Sequence, residues 1–133
     1  MHGKNRLGFE LVGSNKLIRS FNPATGVARD GSFTCASTDQ IEKAMDKASM
    51  AFPIYKAVGP IKRADFLDAI ADEILNLGDE LVKAAIEESA LPEGRIMGER
   101  GRTTGQLKAF ASLLREGSWV DARIDTAIPD REP

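Results

Sequence analysis

The sequence contains one cysteine and one histidine among its 133 residues. A lone cysteine excludes a disulfide within the chain and is typical of a reducing compartment such as the cytoplasm. The single histidine, His2, lacks the neighbouring ligands that a zinc site requires. No apolar run approaches the roughly 20 residues of a membrane-spanning helix, and the first residues lack the apolar segment of a signal peptide. We therefore predict a cytoplasmic protein without a metal site or a membrane contact.

Neither sign of charge dominates, because 18 basic residues stand against 20 acidic ones and the net charge is −2. This balance excludes the strong positive field of a nucleic-acid-binding domain. Hydrophobic residues make up 42% of the chain and charged residues 29%, as in an ordinary soluble globular protein. No linker, repeat or low-complexity segment divides residues 1–133, so we expect a single domain's worth of chain.

Residues 7–35 carry the signals of short strands and turns. Residues 22–26 combine a proline, which presets φ, with a glycine that tolerates a positive φ, and this predicts a tight turn. A return through Val27 and Phe33 predicts a hairpin. The apolar strand formers before the return are Phe9, Leu11, Leu17, Ile18 and Phe21.

Residues 38–117 predict four helices. Ser37 and Gln40 form a capping-box pattern at the first helix, which we expect over residues 38–52 because Pro53 ends it. The second helix is expected to begin at Pro60 and to end at Gly78. Its predicted buried face consists of Ala64, Leu67, Ile70, Ala71 and Ile74.

Asp79 predicts the cap of a third helix, which the Leu91–Pro92 pair interrupts. A long fourth helix is predicted within residues 92–119, with Gly117 at its end. Its second half carries an apolar stripe at helical spacing, formed by Leu107, Phe110, Ala111 and Leu114.

The first half of this long helix places Gly98, Gly101 and Gly105 among charged residues. Each glycine in a helix interior costs up to about 1 kcal/mol relative to alanine. Two explanations remain open: another backbone packs closely against this face, or a ligand comes near it. The glycines match neither the dinucleotide fingerprint nor a P-loop, and they do not follow a predicted strand.

Residues 118–128 change to a period of two, which predicts a strand. Because no partner strand lies beside it in the sequence, its edge is expected to pair with another chain. The two alternating sets are Val120, Ala122, Ile124, Thr126 and Ile128 on one face, and Trp119, Asp121, Arg123, Asp125 and Ala127 on the other.

The residues alone indicate no complete active site. Cys35 has no histidine base nearby in the sequence, and we interpret it as a structural residue. Glu87 and Glu88 lack a positioned partner and are interpreted as solvated. The arginines of the long helix are interleaved with glutamates, which is typical of a mixed-charge face. Arg100 and Arg102 are the candidates for holding an anion, because a guanidinium group can grip a carboxylate through two hydrogen bonds.

Several short motifs follow one another along the chain. They are FNPATG at residues 21–26, an alanine-rich helix, an RA pair at residues 63–64 and IADEI at residues 70–74. With them, the sequence resembles the N-terminal part of the aldehyde dehydrogenase superfamily. The words GERGRT at residues 98–103 and GSW at residues 117–119 are similar to the branch that oxidises α-ketoglutaric semialdehyde. The resemblance covers nearly the whole chain.

The resemblance implies an α/β fold, namely an aldehyde dehydrogenase-like N-terminal fragment with short strands, four helices and a terminal oligomerisation strand. It implies oxidation of a small-molecule aldehyde with NAD or NADP in the full-length enzyme. The family's catalytic cysteine and glutamate, and most cofactor contacts, match no position within residues 1–133. No catalytic or cofactor-binding residue is therefore assigned here, and the fragment alone is expected to be inactive and to bind no cofactor.

The resemblance also places the early part of the long helix near the substrate entrance, so Arg100 or Arg102 is expected to recognise the distal carboxylate of a keto-acid aldehyde. Residues 119–128 are expected to form a homo-oligomer contact. A stand-alone helical interaction module that pairs through its terminal strand remains the alternative function.

Overall fold

The computed structural model describes residues 2–124, 126–127 and 129–130. Within them, short strands precede the helices, which agrees with the predicted mixed α/β organisation. The elements are β1 (Asn5–Leu7), β2 (Glu10–Val12), β3 (Leu17–Ile18), β4 (Phe33–Thr34), α1 (Thr38–Lys56), α2 (Pro60–Asn76), α3 (Gly78–Ser89), α4 (Glu93–Glu116) and a 3₁₀ turn (Ser118–Val120).

The strands form two small antiparallel sheets. In the first, β1 pairs with β2 and Arg6 lies opposite Leu11. The chain reverses at Gly8, whose φ is +62°. The side chain of Phe9 lies in this turn and is fully exposed. Its prediction as a strand residue was wrong, because the turn needs two residues between the paired segments.

In the second sheet β3 pairs with β4, and Ile18 lies opposite Phe33. The predicted turn at residues 22–26 closes the return between them. The Asn22 side chain accepts a hydrogen bond from the backbone N–H of Ala24 at 2.9 Å, and Gly26 adopts a φ of +71°. An Asx turn followed by a left-handed glycine is a local solution that this sequence encodes by itself.

Helix α1 begins with the predicted capping box, in which Ser37 and Gln40 exchange side-chain and backbone hydrogen bonds. It does not end at Pro53, however, and continues to Lys56. A proline removes one hydrogen bond of the helix. The next turn remains closed, since the N–H of Ala57 donates to the carbonyl of Pro53 at 3.3 Å.

The apolar stripe of α1 is exposed. Ile41, Met45 and Phe52 keep 54%, 68% and 63% of their surface in solvent. The helix is held instead through Lys47, whose Nζ donates to the carbonyl of Leu7 at 3.1 Å. Helical periodicity thus predicted the element but not its burial in this chain.

The core lies between α2 and α4, which pack along each other. Ala64 and Ala71 on α2 and Ala111 on α4 are completely buried, as predicted. Alanines at a helix crossing allow the two backbones to approach closely. Phe110 is 60% exposed, so its assignment to the buried stripe was wrong. It lines a groove of about 380 Å³ beside Leu67, Leu114 and Trp119.

Ion pairs flank this core on its solvent side. Arg115 of α4 contacts Asp65 and Asp68 of α2, each at 2.7 Å, and Lys108 lies 3.0 Å from Asp72. Hydrogen bonding to Asp65 and then Asp68 raises the pKa of Arg115 above its ordinary value. These pairs join α2 to α4 but contribute little to the free energy of unfolding, because their side chains are largely exposed.

The junction between α2 and α3 differs from the predicted one. Leu77 in the right-handed helical region closes α2 and also precedes α3, which begins at Gly78. Asp79 therefore lies inside the first turn and does not cap the helix. The two helices follow each other too closely to leave an extended residue, which a side-chain N-cap requires.

Two helices end in a left-handed residue. Gly117 closes α4 with a φ of +84°, as predicted, and Ala90 closes α3 with a φ of +56°. The left-handed region costs alanine roughly 1–2 kcal/mol, whereas glycine enters it freely.

Substituting Ala90→Gly is therefore expected to raise the free energy of unfolding by about 0.5–1 kcal/mol, since part of the relieved strain is offset by the greater freedom of glycine in the unfolded chain. Gly117→Ala should lower it by a similar amount. Urea unfolding followed by circular dichroism measures both. Effects of the same sign for the two substitutions would contradict this explanation.

The described positions of residues 118–128 do not form the predicted strand. Residues 118–120 form a 3₁₀ turn, and the described positions that follow have no strand pairing. The left-handed Asp121 turns the chain at this point. A strand needs a hydrogen-bonded neighbour, and the described part of the chain offers none here. Asp125 and Ile128 lie outside the described residues.

Candidate functional site

Arg100 and Arg102 lie in the first half of α4 and point to different surroundings. Arg100 is partly buried, and its Nη1 donates to the carbonyl of Gly78 at 3.0 Å. Its Nη2 donates to the sulfur of Met97 at 3.2 Å. These bonds commit Arg100 to joining α4 to the start of α3.

Arg102 lies on the solvent side of the helix. Its Nε and Nη2 donate to the same carboxylate oxygen, Oε2 of Glu99, at 3.0 and 2.7 Å. The other oxygen of Glu99 lies 2.7 Å from Nη2 of Arg95. The structure therefore does not bring Arg100 and Arg102 together, and it groups Arg102 with two residues that were not predicted as site residues.

The sequence carried a signal for this group. Glu99 stands three residues before Arg102 and four after Arg95, and these spacings place side chains next to each other on a helix. Hydrogen bonding to Arg102, followed by its charge and then by Arg95, holds the pKa of Glu99 below its ordinary value. The carboxylate is thus ionised at neutral pH, and the three groups together carry one net positive charge.

The glycines of α4 border this group. At Gly98, Gly101 and Gly105 an added Cβ would meet no other atom within 4 Å. Within the described residues, close backbone packing does not explain these glycines. The face they form is open to a molecule that is not part of the chain as described.

The remaining sequence candidates lie elsewhere. Glu87 and Glu88 both pair with Arg29, which ties α3 to the loop before β4. They therefore have a charged partner that the sequence did not predict, although both side chains stay exposed. Cys35 is partly buried, and its carbonyl accepts a hydrogen bond from the Ser14 hydroxyl at 2.6 Å.

The glycine run of α4 does not fit a dinucleotide. A phosphate cradle needs free backbone N–H groups at a turn between a strand and a helix, whereas Gly98, Gly101 and Gly105 lie inside α4. Among the described residues, no cluster of three or more histidine, cysteine or acidic side chains is arranged to hold a metal ion. No helix in the described part of the chain has the length and apolarity needed to cross a membrane.

Comparison with known proteins gives matches over most of the chain. The family model described as "Aldehyde dehydrogenase family" matches residues 11–130. The chain is 44% identical over 133 residues to alpha-ketoglutaric semialdehyde dehydrogenase 2 of Azospirillum brasilense, and 42% identical to alpha-ketoglutaric semialdehyde dehydrogenase of Acinetobacter baylyi. These matches cover 98% and 99% of this chain. A succinate-semialdehyde dehydrogenase [NADP(+)] 2 of Schizosaccharomyces pombe is 31% identical over 74% of the chain and 20% of its own length.

The chain spans 25% of the length of each of the two bacterial relatives. The matching region corresponds to the N-terminal part of the family. It includes α2 and α4 with their buried alanines as well as the Arg95–Glu99–Arg102 group, since residues 11–130 contain all of them. The chain belongs to the aldehyde dehydrogenase family.

Proposed function

We propose that the chain is the N-terminal part of an NAD(P)-dependent dehydrogenase that oxidises α-ketoglutaric semialdehyde to 2-oxoglutarate in the cytoplasm. The observation that carries this proposal is the 44% and 42% identity to two relatives named for that activity, over almost all of this chain. Aldehyde oxidation in this family needs a cysteine thiolate to attack the aldehyde and a glutamate to activate water. We place both outside residues 1–133, where the resemblance finds no matching position, and we therefore expect the chain alone to be inactive.

Within that enzyme, this chain supplies recognition of the substrate carboxylate. Of the two predicted arginines, Arg102 is the better placed, because its side chain is 66% exposed and bonded to Glu99 alone among the described residues. Arg100 is committed to the carbonyl of Gly78 and supports the position of α4. The acidic end of a keto-acid aldehyde would thus bind at Arg102 while the aldehyde end reaches the catalytic region.

Residues 119–128 are proposed to become a strand only when another copy of the enzyme pairs with them, which gives a homo-oligomer. The 3₁₀ turn at residues 118–120 is then the form of this segment without a partner. A strand edge that lacks a neighbour gains its backbone hydrogen bonds on association.

The alternative function, a stand-alone helical interaction module, is favoured by one observation. Ile41, Met45 and Phe52 form an exposed apolar stripe on α1, of the kind that marks protein-binding faces. This alternative competes with the first proposal, in which the rest of the enzyme packs against the α1 stripe.

A chimaera separates the two. In this chimaera, the present chain replaces the matched first quarter of the Azospirillum brasilense enzyme. We expect it to reduce NAD(P)⁺ when α-ketoglutaric semialdehyde is added, and the absorbance of NAD(P)H measures this reaction. The same enzyme without its first quarter, and this chain alone, should show no turnover. A folded chimaera without activity would contradict the proposed function, and turnover by the chain alone would contradict the proposed division of labour.

A further inference from the structure

The Arg95–Glu99–Arg102 group is built around one shared carboxylate. One carboxylate, Glu99, holds two guanidinium groups, one on each of its oxygens. Its side chain is 36% exposed, whereas both arginine side chains are 66% exposed. The acid is thus the more enclosed member, and the two positive groups face solvent.

Glu99 occupies a defined edge of the Arg102 guanidinium. It accepts from Nε and from Nη2, and this leaves the Nη1–Nη2 edge without a hydrogen-bond partner among the described residues. A guanidinium group has five N–H donors in a rigid plane. Fixing one edge therefore orients the opposite edge, which is the one that can bind a second carboxylate through two parallel hydrogen bonds.

The neighbours of Arg102 along the helix leave that edge accessible. Gly98 lies four residues before it and Gly105 three residues after it, and these are the adjacent positions on one side of a helix. Nothing lies within 4 Å of a Cβ built at either glycine. On its other side Arg102 is adjacent to Glu99. The arginine thus has an acid on one side and a bare helix surface on the other.

We infer that Glu99 is a positioning residue that presents Arg102 to the carboxylate of the substrate, with the glycines giving that carboxylate room to approach. The inference rests on the proposed function. It assigns the glycine face and Glu99 to substrate recognition and adds them to the predicted arginine. The lowered pKa of Glu99 agrees with this arrangement, because the carboxylate stays ionised at neutral pH and can keep its ion pair with Arg102.

The decisive test is whether Glu99→Gln raises or lowers KM for α-ketoglutaric semialdehyde, relative to KM for a neutral aldehyde, in the active chimaera. Removing the acid adds one net positive charge beside Arg102. If Glu99 merely neutralises the arginine, KM for α-ketoglutaric semialdehyde should fall relative to KM for a neutral aldehyde of similar length. If Glu99 positions the arginine, the ratio of these KM values should rise by about 2- to 10-fold, since an unrestrained side chain must be ordered on binding.

Ionic strength separates the two effects further. At 1 M salt the Debye length is about 3 Å, so the gain from added charge is largely screened. The rise in the KM ratio caused by Glu99→Gln should therefore be larger at 1 M salt than at low salt.

Arg102→Gln should raise the KM ratio about tenfold or more, because a charge-assisted bidentate contact is lost. Lys108→Gln, which removes a paired cation elsewhere on α4, is the matched control and should not change the ratio. A fall in the ratio for Glu99→Gln at both salt concentrations would overturn the inference.

A second measurement does not depend on turnover. In the chimaera, calorimetric titration should give a dissociation constant for 2-oxoglutarate that both Arg102→Gln and Glu99→Gln raise, whereas Lys108→Gln leaves it unchanged. Equal dissociation constants for the unmodified and the Glu99→Gln chimaera would overturn the inference. Binding of 2-oxoglutarate by a chimaera that shows no turnover would contradict the proposed function alone.

Discussion

Replacing Gly98, Gly101 and Gly105 together by alanine is expected to raise the free energy of unfolding of this chain by about 2–3 kcal/mol, because each glycine in a helix interior costs close to 1 kcal/mol relative to alanine. All three lie inside α4, and an added Cβ meets no atom within 4 Å at any of them. The gain arises from the reduced freedom of the unfolded chain and is not opposed by a clash.

Urea unfolding followed by circular dichroism measures this gain. The matched control is Gly26→Ala. Its surroundings are equally open, but its φ of +71° disfavours alanine. That substitution should therefore destabilise the chain. A loss of stability in the triple variant would show that the glycines are needed by the fold itself.

The same triple variant should behave differently in the chimaera. If the bare surface of α4 is kept for the substrate carboxylate, three added methyl groups should raise KM for the acidic aldehyde although the protein is more stable. This combination is the trade-off between stability and function that is expected where a sequence departs from local propensity at a functional site.

The second large effect is expected at the buried alanines between α2 and α4. Ala111→Leu should lower the free energy of unfolding by about 1–3 kcal/mol, because overpacking of a close helix contact forces the helices apart. Ala111 has no exposed surface, and it belongs to the core that also contains Ala64 and Ala71. The double substitution Ala71→Leu and Ala111→Leu should prevent the native pairing of the two helices.

Ala109→Leu is the control for this prediction, since Ala109 lies on the same helix but is exposed. It should leave the urea midpoint almost unchanged, while Ala111→Leu shifts it to lower concentration. Equal shifts for the two variants would show that helix propensity, and not packing against α2, sets the stability of α4.

Local features could be predicted from the sequence because neighbouring residues produce them. The capping box at Ser37, the Asx turn at Asn22 and the left-handed Gly117 each depend on a few adjacent residues, and all three are present. The same local reasoning was wrong at Pro53, where the surrounding turns of α1 outweigh one missing hydrogen bond, and at Asp79, where two helices follow each other without a spacer.

The candidate site could be predicted only in part. Arg102 was predicted from its chemistry and its binding role stays a prediction, whereas its spacing from Glu99 was visible in the sequence. The edge of the guanidinium that Glu99 contacts depends on side-chain rotamers, and the spacing of residues along the sequence does not determine these. Arg100 has the same chemistry as Arg102, but it lies where it meets the carbonyl of Gly78 and serves the fold.

By itself, the sequence determined the family, the four helices and most of their ends, because these follow from residue order and from interactions over three or four positions. Only the tertiary structure decided which apolar residues are buried. The stripes of α1 and α4 have the same period, yet Ala111 is buried and Met45 is exposed, because α2 lies against one stripe and no described part of the chain covers the other. It likewise decided that the glycines of α4 face open space and that residues 118–120 form a turn, since both depend on which neighbours are present in space.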